Sequence, residues 1–90
     1  MISITNYGKY SNSNYGIHTL QVNMPKITVY FSYKTIIAFH TMDEGLITCE
    51  NIWTVTTGKH LNWIDNNKDS RLPYDEFQAR LNAAISKIFA

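Results

Sequence analysis

The sequence predicts an α+β fold: an antiparallel β-meander of about four strands, then a short helix and a C-terminal amphipathic helix packed on one face. Three observations carry this expectation. Apolar and polar residues alternate with a period of two through much of residues 17–34. The apolar runs that follow are joined by short connections, which suit antiparallel neighbours. After Gly58 the apolar spacing changes to that of a helix.

Residues 6–16 are turn formers and tyrosines without a sustained period, and read as a loop or irregular hairpin. Leu20, Val22 and Met24 alternate with Thr19, Gln21 and Asn23, which predicts a half-buried strand over 17–24 stopped by Pro25. Ile27, Val29, Phe31 and Tyr33 alternate with Thr28, Tyr30, Ser32 and Lys34, a β-branched and aromatic run that strongly favours a strand. A turn near residues 33–35 leads to a strand over 36–41, and Asp43-Glu44-Gly45 turns the chain into 46–50. Residues 51–55 fit either an extension of that strand or a loop. Leu61, Trp63 and Ile64 suit a short helix, with Thr56 or Thr57 as its N-cap. Pro73, followed by Asp75 and Glu76, starts a second helix, because proline lacks an N–H and carboxylates favour the positive end of the helix dipole. Phe77, Leu81, Ala84, Ile85 and Ile88 form its apolar stripe.

At 90 residues the chain is too short for two ordinary cores, so a single domain over 1–90 is expected. The 44% hydrophobic and 17% charged composition argues against disorder. Eight basic and seven acidic side chains leave a formal charge of +1, too little to steer the protein to a polyanion. Cys49 is the only cysteine, which excludes an internal disulfide and a cysteine-rich zinc site and fits a cytoplasmic location. The N-terminus lacks the basic start and apolar stretch of a signal peptide, and no segment suits a membrane.

One segment has metal-ligand spacing. Asp65, Asn67 and Asp69 place oxygens at alternate positions, Arg71 would offer its backbone carbonyl, and Glu76 would close the site as a bidentate ligand, as in an EF-hand calcium loop. Ser70 stands where the sharp turn favours glycine, and Pro73 supplies no side-chain oxygen. A plain helix-to-helix connection is therefore the favoured reading, and no cofactor is expected. His18, His40 and His60 lack ligand spacing. Gly58-Lys59-His60 lacks the Ser or Thr and the upstream glycine of a phosphate-binding loop. Cys49 in a strand reads as a small buried hydrophobe, and no catalytic constellation is visible, so the expectation is not an enzyme.

The tyrosine-rich segment offers a binding surface. Tyr7, Lys9, Tyr10 and Tyr15 among Gly, Ser and Asn supply rigid amphipathic area and adaptable hydrogen bonds for a protein partner. Tyrosines capping a sheet edge account for the same pattern equally well. A further reading stacks nucleobases on these rings, with Lys9 and Lys26 near phosphate, although positive charge is sparse. Exposed sheet edges would also allow homo-oligomers.

Tyr7-Gly8-Lys9-Tyr10-Ser11, Tyr30-Phe31-Ser32-Tyr33 and Thr56-Thr57-Gly58-Lys59-His60-Leu61-Asn62, in that order, resemble short proteins of phages and related mobile elements. The resemblance covers most of the chain and carries no catalytic residue. It implies a small protein that binds and inhibits a host component in the host cytoplasm, as inhibitors of antiviral defence such as anti-CRISPR proteins do by occlusion.

Overall fold

The computed structural model describes residues 2–8 and 18–89. Among these, β1 (Ser3–Asn6), β2 (Leu20–Asn23), β3 (Ile27–Ser32), β4 (Thr35–Thr41) and β5 (Gly45–Thr48) form one antiparallel sheet in sequence order. Helix α1 (Val55–Ile64), a 3₁₀ turn (Lys68–Ser70) and helix α2 (Tyr74–Phe89) follow. The meander and C-terminal helix are as the periodicity predicts. The expected four strands become five, because β1 pairs with β2 from Ser3↔Asn23 to Asn6↔Leu20.

Cross-strand partners in a sheet share a face. The register therefore aligns Ile4, Val22, Val29, Phe39 and Ile47 in one row across all five strands. Phe77 of α2 meets this row at Phe39, with ring centroids 5.7 Å apart. Ile27, Val29, Phe39, Cys49, Phe77 and Leu81 are the buried centre, and Ala84, Ile85 and Ile88 extend the α2 stripe over it. Ser32 alternates with Phe31, so it points to the other face, where its hydroxyl meets Thr57 and His60 of α1. The two helices thus lie on opposite faces of the sheet. A register shift between Tyr30 and Phe31 accommodates Ile37, which is fully buried.

Helix α1 begins earlier than its threonines suggest. Thr54, rather than Thr56 or Thr57, is the N-cap, with Oγ1 accepting from the Thr57 N–H at 3.2 Å. This start puts Thr57, His60 and Leu61 on one buried stripe. Gly58 lies inside the helix, where a Cβ would come 3.0 Å from Asn51 Nδ2. Residues 51–54 are a loop, because Asn51 Oδ1 accepts from the Trp53 N–H and Nδ2 donates to the Thr54 carbonyl. At the far end, Lys87 Nζ donates to Asp43 Oδ2 at 2.7 Å and holds that carboxyl below its ordinary range.

Cys49 is completely buried, and that burial, reinforced by the Glu50 charge, pushes its thiol from 9.0 up to about 11. The fold thus favours the protonated thiol, and this contribution is fully present below pH 9 and lost as pH rises towards about 11. Urea melts across that window are expected to show a stability decline that Cys49→Ala reduces, the remainder coming from Tyr30 and Lys87, whose pKa values are also raised. Iodoacetamide at neutral pH should label Cys49 only as the chain unfolds.

Candidate functional site

The two edges of the sheet differ. On the outer side of β5, the Leu72 N–H donates to the Thr48 carbonyl at 2.9 Å, and the Glu50 N–H donates to the Leu72 carbonyl at 2.8 Å. A parallel bridge between Cys49 and Leu72 joins the chain at this end of β5. The outer side of β1 has no such cover among the described residues. The Tyr7 N–H donates to the Thr19 carbonyl at 3.0 Å, which fixes the alternation: Ser3 and Thr5 direct their backbone groups to β2, and Ile4 and Asn6 direct theirs outward. Ile2 and Ile4 are 66% and 64% exposed, although Ile4 belongs to the row that α2 covers over β3 and β4. Residues 2–6 carry no charge and no proline, the usual devices that protect a strand edge.

Next to this edge the chain builds an aromatic cluster. The Tyr7 hydroxyl donates to the Phe31 carbonyl at 2.8 Å. Its ring meets Tyr30 edge-on at 5.6 Å and His60 at 6.5 Å. Tyr33, in the two-residue turn between β3 and β4, has φ +57°, a left-handed conformation that is costly for a bulky side chain. Its ring stacks on His18 at 4.2 Å, and its N–H donates to the His18 carbonyl at 3.1 Å. These contacts hold the turn in its strained form and leave Tyr33 45% exposed. Beneath them, Ser32 Oγ lies 2.6 Å from His60 Nδ1 and 3.0 Å from Thr57 Oγ1. All three side chains are buried, so the group clamps α1 to β3.

Of the residues singled out from the sequence, Tyr7 joins this cluster, whereas Lys9, Tyr10 and Tyr15 lie outside the described residues. Lys26, in the β2–β3 turn, is at the opposite end of the sheet from Tyr7. Around Asp65 the polar side chains close local turns. Asp65 Oδ1 accepts from the Asn67 N–H, Asn67 Oδ1 from the Asp69 N–H, and the Arg71 guanidinium donates to the Asp65 carbonyl. Glu76 is on α2, 3.7 Å from Arg80. Among the described residues no three His, Cys, Asp or Glu side chains gather where a metal ion could be held. The open β1 edge, the Tyr33 turn and the Ser32–His60 pair escape a reading of the sequence alone. The alternation of Ile2 and Ile4 with Ser3 and Thr5 is the signal that would have revealed the edge.

The model of a family of unknown function, DUF8033, matches residues 2–79. The chain belongs to this family. The DUF8033 match spans all five strands, α1 and the first turns of α2, and so includes both the β1 edge and the aromatic cluster. No curated protein and no solved structure matches the chain. Among the described residues of this DUF8033 member, no helix is long and apolar enough to cross a membrane.

Proposed function

We propose that this chain is a small, non-enzymatic binding protein that captures a protein partner by strand addition at the β1 edge, beside the tyrosine segment of residues 7–15. The observation that carries this reading is the contrast between the edges: β5 is joined at its Thr48 end by the segment around Leu72, whereas among the described residues β1 presents the outward backbone groups of Ile4. Strand addition supplies affinity through such main-chain groups and specificity through alternate side chains, here Ile2 and Ile4. The phage-like segments support a host protein as the partner and occlusion as the mode of inhibition, in the cytoplasm of the host cell.

Proline at position 4 separates binding from folding. The Ile4 N–H points away from β2, so Ile4→Pro removes an outward donor without removing a ladder hydrogen bond. Its melting temperature is expected within about 4 °C of the parent. Capture of the same partner from host extract should fall about tenfold or more, since burial of Ile4 and one edge hydrogen bond are both lost. Equal recovery by parent and Ile4→Pro would remove β1 as the binding edge. Sedimentation of the purified chain distinguishes a second copy from a foreign partner, because self-pairing at β1 would rise with concentration and vanish in Ile4→Pro.

A further inference from the structure

Helix α1 turns a second face to the 3₁₀ turn. Val55, Gly58, Lys59 and Asn62 follow helical spacing along it, and together with Asn51, Lys68 and Arg71 they line a cavity of about 390 Å³. Three of the chain's eight cationic residues meet here, with no carboxylate among the described lining residues. The guanidinium of Arg71 is fixed by Nη2, which donates to Asn62 Oδ1 at 2.9 Å and to the Asp65 carbonyl at 3.3 Å. Its Nε is enclosed and has no acceptor among the described residues. Asn62 uses its oxygen on Arg71, so the amide group it has left to offer is a donor. Gly58 lets the Asn51 amide lie close against the helix, which shapes the upper wall.

A lining of ammonium, guanidinium and amide donors suits an anion with several acceptor oxygens. Arg71 also donates from its guanidinium to the Asp65 main-chain carbonyl. We infer that this cavity binds the phosphate group of a small phosphorylated molecule. The cations converge on one concavity rather than forming the extended stripe that follows a nucleic-acid backbone, and the net charge is only +1. This site is separate from the β1 edge and does not depend on it.

Calorimetric titration of the full chain with pyrophosphate at low, matched ionic strength tests the inference. Binding is expected with a dissociation constant of about 1 mM or tighter. Lys68 is exposed and outside the core, so Lys68→Glu should fold normally and weaken binding about tenfold. Arg71→Gln should weaken it at least as much. Ile4→Pro should bind pyrophosphate as the parent does. Absence of binding, or equal binding by the parent and Lys68→Glu, would overturn the site. A labelled single-stranded oligonucleotide binding about a hundredfold tighter than pyrophosphate, with a steep salt dependence, would overturn the assignment to a small molecule.

Discussion

Replacing Phe77 with Ala is expected to cost about 3–5 kcal/mol, much of the stability of an ordinary domain. Phe77 is fully buried, and its ring lies against Phe39 at the centre of the row that joins β1 to β5. Deletion of the ring loses its transfer free energy and leaves a cavity that the sheet, fixed by its ladders, cannot collapse to fill. For a chain of this size the melting temperature should fall by about 12 °C or more. Urea titration should show a lower midpoint with an unchanged slope. The exposed Phe89, on the same helix, is the control: Phe89→Ala should change stability by no more than about 0.5 kcal/mol. Similar losses in the two variants would contradict the packing of α2 on the Val29 and Phe39 face.

The second large effect is expected at Ser32. Its hydroxyl links His60 Nδ1 and Thr57 Oγ1 in a buried group, and Ser32→Ala leaves the imidazole nitrogen enclosed without that partner. An unmet buried polar atom costs about 1–3 kcal/mol, so the variant should melt several degrees lower. The loss should be coupled to α1: in a double-mutant cycle with His60→Phe, the two changes should fail to add by about 1 kcal/mol. Additive losses would mean that Ser32 and His60 stabilise the fold independently.

The parts of this fold that were legible in the sequence are those determined locally. Ile27 to Tyr33 alternate cleanly because Ile27, Val29 and Phe31 face the α2 core while Thr28, Tyr30 and Ser32 face the other side, and the stripe from Phe77 to Ile88 is long enough to fix a helix. Strand β1 was the least legible, because its signal is only Ile2 and Ile4 alternating with Ser3 and Thr5 in a short exposed segment that the β2 backbone makes a strand. Thr56 and Thr57 were the expected caps for α1, and the buried stripe of Thr57, His60 and Leu61 instead sets the cap at Thr54. Gly58 had obscured this start, since glycine inside a helix is unfavourable by about 1 kcal/mol. The Ser32–His60 contact spans 28 residues, beyond the reach of any local pattern. The Asp65 segment shows the converse: its oxygens have ligand-loop spacing, and in the fold the Asp65 and Asn67 side chains close local turns while Arg71 reaches the Asp65 carbonyl, a contact no local pattern contains.

Amide hydrogen exchange along β1, with and without the captured partner, tests strand addition most directly. In the free chain the Ser3, Thr5 and Tyr7 amides face β2 and should be protected relative to Ile4, which should exchange openly. Addition of the partner is expected to slow Ile4 selectively, by about tenfold or more. Open exchange at Ile4 in the saturated complex would contradict strand addition at β1.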